Sequence, residues 1–178
     1  MLDFILSVLS IIIMVFLAAL FVFLGWPLIF SGAPFVPSYR KIRRQVLEPV
    51  FELAQKAPGR KFVDVGSGDG RVVLEFAHQG FEATGIEINP FLAWWSRVKI
   101  KKLNIKNQKT KIVRMNFWNF DFSDFDVVYI FQLNRVNALI TEKFKRELKP
   151  GAIIISAGFP FFDFELITKH GPFWVYKI

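Results

Sequence analysis

From residue 4 to residue 24 the chain carries no charged side chain. About 21 apolar residues at ~1.5 Å of helical rise span roughly 31 Å, the thickness of a bilayer core, so the pattern predicts a transmembrane helix. Behind it a Gly/Pro-rich connector, residues 31–38, leads into a segment where Ile42, Val46, Val50 and Phe51 recur at helical spacing. Pro49 is expected to kink or divide that segment. Short apolar runs then alternate with helical patterns. Strands are predicted over 61–65, 83–87, 111–115, 125–131 and 152–157, and helices over 71–79, 90–103 and 134–148. Alternation of this kind makes a parallel sheet with helices on both faces. Residues 164–168 and 173–177 flank Lys169, His170, Gly171 and Pro172 and read as a hairpin closing the sheet edge. The expected organisation is an apolar anchor over residues 1–30 followed by one α/β domain over residues 31–178.

The flanks of the apolar run decide between an anchor and a cleaved signal. Asp3 precedes it, no lysine or arginine does, and no A-x-A site follows, all of which disfavour cleavage. Trp26 lies where an interfacial aromatic belongs, and Arg40, Lys41, Arg43 and Arg44 come soon after. By the positive-inside rule the chain is expected to be single-pass, with its soluble part facing the cytoplasm.

The candidate chemistry lies where the first predicted strand ends. Residues 62–73 read Phe-Val-Asp-Val-Gly-Ser-Gly-Asp-Gly-Arg-Val-Val, an apolar strand running through a glycine-rich turn into a helix. Glycines let the backbone bend sharply and approach a ligand, and the N–H groups of the following helix attract its anionic end. The spacing G-x-G-x-G over Gly66, Gly68 and Gly70 differs from the dinucleotide G-x-G-x-x-G. Asp64 stands two residues before the first glycine, where a carboxylate repels a pyrophosphate but suits an ammonium. S-adenosylmethionine carries both an α-ammonium and an α-carboxylate. Asp64 is expected to face the first and the turn's N–H groups the second. Glu87 ends the next apolar run, where the two hydroxyls of a ribose would be accepted.

Composition narrows the alternatives. With no cysteine in the chain, disulfides, Cys-bearing zinc sites and thiolate nucleophiles are excluded, C5-cytosine methylation among them. His78 and His170 lie far apart without neighbouring ligands, so no metal is expected. The net charge of +8 concentrates in Arg97, Lys99, Lys101, Lys102, Lys106, Lys109, Lys111 and Arg114, with no acid between them. That stretch reads either as a solvated helix end and loop or as a face against anionic headgroups. No nucleic-acid motif accompanies it, so a nucleic-acid partner is not expected. An N6-adenine or amide-nitrogen methyltransferase would show [DN]-P-P-[YFW] after the fourth strand, where this chain has Ile130, Phe131, Gln132, Leu133 and Asn134.

Taken together, these segments resemble the class I, Rossmann-like seven-strand S-adenosylmethionine methyltransferases. The closer resemblance is to the membrane-anchored lysine methyltransferases whose mitochondrial members modify the adenine nucleotide translocase and the ATP synthase c-subunit; the fold also resembles the nucleosomal lysine methyltransferases of that class. The likeness rests on the anchor, the connector Ala33, Pro34, Phe35, Val36, Pro37 and Ser38, the glycine turn, and the run Gly85, Ile86, Glu87, Ile88, Asn89, Pro90, Phe91 and Leu92. It implies a protein-lysine N-methyltransferase acting on a membrane-associated protein. Asp64, Gly66, Ser67, Gly68, Asp69 and Gly70 would then hold the methionine end of the cofactor and Glu87 its ribose. Asn116 and Phe117 would join them at the third strand, and the connector with Phe35 would fold over the cofactor. The family tends to have Asp-Leu-Trp where this chain has Asn116, Phe117 and Trp118. A neutral amide oxygen accepts the adenine amino hydrogen more weakly than a carboxylate, so weaker cofactor binding is expected. Trp118, Tyr129, Phe131, Phe159, Phe161 and Phe162 fall near strand ends and are candidate walls for a lysine channel. No residue stands out as a catalytic base. A membrane enzyme methylating a lipid or quinone is the alternative reading, and a non-catalytic binding module is the blandest one.

Overall fold

A computed structural model describes residues 1–31, 44–102 and 109–178, and the chain divides into two compact units, Met1–Pro37 and Ser38–Ile178. The first contains α1 (Leu2–Ser31). It is longer than the expected span and continues through Gly25 and Pro27, because a long apolar helix satisfies its own backbone wherever it runs. Over Phe4–Val22 it is the one helix among the described residues long and apolar enough to cross a membrane.

The second unit is a seven-stranded sheet in the order β3-β2-β1-β4-β5-β7-β6, formed by β1 (Lys61–Val65), β2 (Glu82–Glu87), β3 (Lys111–Arg114), β4 (Val127–Ile130), β5 (Ile153–Ala157), β6 (Glu165–His170) and β7 (Phe173–Lys177). The first five strands are parallel, while β7 pairs antiparallel with both β5 and β6. The hairpin thus makes the sheet mixed. The chain begins in the middle at β1, builds outward to β3, then returns to lay β4 on the other side of β1. That reversal opens a crevice at the carboxyl ends of β1 and β4, where open α/β sheets bind ligands.

Strand alternation divides the core in two. Phe62, Val127, Tyr129, Ile153 and Ile155 point to one face, where they meet α2 (Arg44–Ala54), α3 (Arg71–His78) and α4 (Pro90–Lys102). Val63, Val65, Val128, Ile130 and Ile154 point to the other, against α5 (Asn134–Glu147). Helix α2 is not divided at Pro49. Its stripe Leu47, Val50, Phe51 and Ala54 is fully buried. Burying three large apolar side chains contributes about 1.5–3 kcal/mol each, which outweighs the roughly 3 kcal/mol lost to a mid-helix proline.

The phenylalanines separate sharply by position. Phe62 stacks on Phe76 with ring centroids 3.8 Å apart, and Phe51 and Phe81 meet Phe76 edge-on. Phe162, in contrast, is 81% exposed. Replacing Phe62 by alanine is expected to lower the unfolding free energy by about 3–5 kcal/mol, the usual loss for a truncated core aromatic. Phe162→Ala should change it by less than about 0.5 kcal/mol. Denaturant titration followed by near-ultraviolet circular dichroism checks both; a large loss from Phe162→Ala would contradict this division of the core.

Candidate functional site

Gly66, Gly68 and Gly70 form the turn between β1 and α3, all with positive φ (81°, 54° and 75°), a conformation that only glycine adopts without strain. The amides of Gly66 and Ser67 both donate to the Ile86 carbonyl, at 2.9 and 2.8 Å. Gly68 N–H donates to Glu87 Oε2 at 2.8 Å, and Asn89 N–H to Oε1 at 2.7 Å. Gly70 N–H closes back on the Ser67 carbonyl at 2.9 Å. Most of the turn's amides are thus engaged within the chain, a refinement of the expectation that they face the ligand. Among the described residues, the donors that remain are the Asp69 amide and those of the first turn of α3, where the N-cap residue Gly70 supplies no side-chain hydrogen bond.

Helix α4 clamps the turn from outside. Ser96 Oγ lies 2.8 Å from the carbonyl oxygens of both Gly68 and Leu92. Asp69 is held by Arg71 at 2.8 Å and by Lys99 at 2.7 Å. Burial alone would raise the Asp69 carboxyl, but hydrogen bonds from these two cations outweigh it and hold it below the usual carboxylate range. Part of the basic stretch is therefore spent internally. Lys99 is in this clamp, Arg97 donates to the Ile112 carbonyl at 3.0–3.1 Å, and Lys109 pairs with Glu82.

Asp64 is different. It is buried at the end of β1, opposite Gly85 on one side and Tyr129 on the other, and no hydrogen bond reaches its carboxylate from the described residues. Burial pushes its pKa well up, and repulsion from Glu87 and Asp69 adds to the shift. Burial also raises Glu87, partly offset by the amides of Asn89 and Gly68. The Ser67 and Tyr129 hydroxyls are likewise buried without partners among the described residues. Open space lies beside Gly68, and a side chain on Gly66 would run into Gln132 Nε2 at 2.8 Å. Two carboxylates, two orphaned hydroxyls and a bare backbone around one crevice fit a small polar ligand that carries a positive charge. Charge in that position would relieve what the chain itself leaves uncompensated.

The remaining candidates distribute unevenly. Asn116 caps the short 3-10 turn Phe117–Asn119, its Oδ1 accepting from Trp118 N–H at 3.1 Å, and Phe117 packs against the α5-side core. Tyr129 and Phe161 are core residues, Phe131 and Phe159 pair at 6.3 Å, and Trp118 is partly exposed. Phe35 and the connector, Arg40, Lys41, Arg43 and Lys106 lie outside the described residues. Three contributors have no motif to reveal them. Ser96 and Gln132 border the glycine turn, and Asn137 holds the loop after β5 through Ser156 Oγ and the Phe159 carbonyl, at 3.2 and 3.1 Å. Gln132 carries the one signal usable in advance, its place immediately beyond β4 at the reversal of strand order.

Known proteins resemble this chain in sequence and in fold. The family model described as the ANTKMT methyltransferase domain matches residues 64–168. The human lysine N-methyltransferase of the ATP synthase c-subunit is 35% identical over 128 residues, 72% of this chain and 52% of that protein; this chain thus spans about half of its length. A protein-lysine N-methyltransferase of Saccharolobus islandicus is 33% identical over 128 residues, 71% of this chain and 76% of that protein. Among solved structures, an RNA methyltransferase from Salinibacter ruber in complex with S-adenosyl-L-homocysteine superposes with a TM-score of 0.67 at 26% identity, over 79% of this chain and 91% of that one. With the glycine turn, both acids and most of the sheet inside the matched region, the chain belongs to the ANTKMT methyltransferase domain family.

Proposed function

We propose that this protein is an S-adenosylmethionine-dependent protein-lysine N-methyltransferase that acts on a membrane-associated protein. The observation that carries the reading is the buried Asp64, which no described residue pairs, beside the glycine turn of a chain 35% and 33% identical to two lysine N-methyltransferases. When bound, the cofactor supplies an electrophilic methyl group to a nucleophile approaching in line. Asp64 would take its ammonium, the uncapped first turn of α3 its carboxylate, Glu87 its ribose hydroxyls, and Asn116 with Phe117 its adenine end. Gly66, Ser67, Gly68, Asp69 and Gly70 would shape the cradle. The substrate lysine must arrive neutral. From a reference pKa near 10.4 that costs roughly 4.6 kcal/mol at pH 7, and apolar walls such as Phe131 and Phe159 lower the cost by disfavouring the ammonium.

Residues 1–30 serve as a single-pass anchor, and residues 31–178 as the catalytic domain facing the cytoplasm. The uncharged helix and the basic residues after it support this orientation, and one of the relatives is named for the c-subunit of ATP synthase. Incubating the full chain with methyl-labelled cofactor and its host's membranes tests the reading. Label in lysines of membrane proteins is the expected result; label confined to extracted lipid would favour the lipid or quinone alternative, and label in RNA would overturn the substrate class.

Asp64→Asn separates binding from folding. A carboxyl whose folded pKa is raised holds its proton more tightly folded than unfolded, so its ionisation withdraws stability as the pH rises through the raised value. At neutral pH the variant without cofactor is therefore expected to melt higher than the parent, and to match it at low pH, where Asp64 is already protonated. Cofactor binding should weaken by about 2–5 kcal/mol, the usual loss when one member of a buried charge pair is removed. Calorimetry and cofactor-dependent melting measure both, and unchanged affinity in the folded variant would refute the assignment of Asp64.

The anchor has its own test. The full chain is expected to sediment with membranes and to resist extraction by high salt and by alkaline carbonate, while a chain lacking residues 1–30 should be soluble or salt-extractable. Release of the full chain by carbonate would remove the anchor.

A further inference from the structure

Helix α4 presents an outward stripe that the proposed reaction does not use. Its inner face, Leu92, Ala93 and Ser96, is buried. Outward lie Phe91, Trp94 and Trp95, which are 53%, 54% and 41% exposed. The Phe91 and Trp94 rings are 5.9 Å apart and those of Trp94 and Trp95 6.2 Å, forming one aromatic ridge. One turn further along the same stripe comes Val98, and in the last turn the exposed Lys101 and Lys102, which form no ion pair with any described residue. A helix on the surface of a water-soluble domain normally turns charged residues outward. Large aromatics there mark a contact surface.

We infer that this stripe of α4 docks on an anionic bilayer surface, with Phe91, Trp94 and Trp95 at the level of the headgroups and Lys101 and Lys102 on the lipid phosphates. Three observations select a bilayer over a second copy of the chain or another protein. Tryptophan combines a large apolar ring with one N–H donor, the combination enriched at membrane interfaces. The lysines complement anionic headgroups, whereas a second copy of a chain with net charge +8 would bring the same cations together. The chain also carries a helix of bilayer length, Phe4–Val22, so a lipid surface belongs to its chemistry. This surface differs from the basic stretch as a whole, because Arg97, Lys99 and Lys109 in that stretch are already engaged within the fold.

The absence of native cysteine makes a site-specific label clean. The full chain carrying Val98→Cys with a nitroxide is reconstituted in vesicles of phosphatidylcholine, with or without phosphatidylserine. Collision with oxygen, which concentrates in lipid, is compared with collision with a water-soluble nickel chelate. The label is expected to become oxygen-accessible and nickel-shielded in the serine-containing vesicles, and to lose that shift with Lys101→Glu and Lys102→Glu together. A label at exposed Leu139 on α5 should stay in water throughout. Trp94→Gln with Trp95→Gln, both at exposed positions, should also abolish the shift while leaving the melting temperature unchanged. A label at position 98 that remains in water in both vesicles would overturn the inference. So would shielding from both reagents, which indicates burial against protein.

Discussion

The Ile86 carbonyl accepts two N–H groups from the glycine turn, and the geometry of the site follows from that attachment. It fixes the turn after β1 to the end of β2, so Asp64 and Glu87 come from neighbouring strands and share one crevice. The attachment leaves no room at Gly85, where even a methyl group would lie 2.6 Å from Ser67 Oγ and from Ile112 Cδ1. Once the turn is down, Glu87 can reach the Gly68 amide and Ser96 the Gly68 carbonyl. The same closeness makes the site electrostatically unfavourable when nothing is bound, since burial raises both acids and repulsion from Glu87 raises Asp64 further. The fold thus holds negative potential in place for a cation that it does not itself supply, as electrostatic preorganisation requires.

Much of this was legible in the sequence, for reasons that differ by element. The five parallel strands are short apolar runs bounded by turn residues, and their predicted limits lie within two residues of those observed. The turn and both acids were legible because conformation and charge there demand particular residue types. Continuation of α2 through Pro49 was not, because it depends on a buried stripe whose partner surface exists only after folding. Ser96 was not legible either: a serine between tryptophan and arginine in a helix reads as surface, and only the packing of α4 on the turn makes it fully buried. The basic stretch reads as one patch in sequence, but folding divides it between clamps and solvent-facing lysines.

The 22 phenylalanines show why composition could not assign roles. Phe161 and Phe162 are neighbours, yet one is buried against Phe144, Phe164 and Tyr176 while the other faces outward. The Tyr176 hydroxyl accepts the Phe161 amide at 2.9 Å, which fixes the loop and determines which ring turns inward. Two stacked cores need aromatic volume on both faces of one sheet, so most of the phenylalanines are accounted for by packing before any is assigned to a substrate channel.

In the proposed reaction a substrate lysine must lose its proton, and the same economy of polar groups bears on how it would do so. Tyr129 stands beside Asp64 with a buried hydroxyl, but burial and the nearby carboxylate push its pKa far above neutrality, so it stays protonated and cannot act as a base. Asp69 is occupied by Arg71 and Lys99, and both Glu87 oxygens accept amides. Asp64 is the acid whose charge the bound cofactor would neutralise. The ionisable groups around the turn are thus engaged in binding or in holding the fold. In that reaction deprotonation would fall to desolvation, because an ammonium entering an apolar approach beside a bound sulfonium would meet both a low dielectric and a like charge, and each favours the neutral amine.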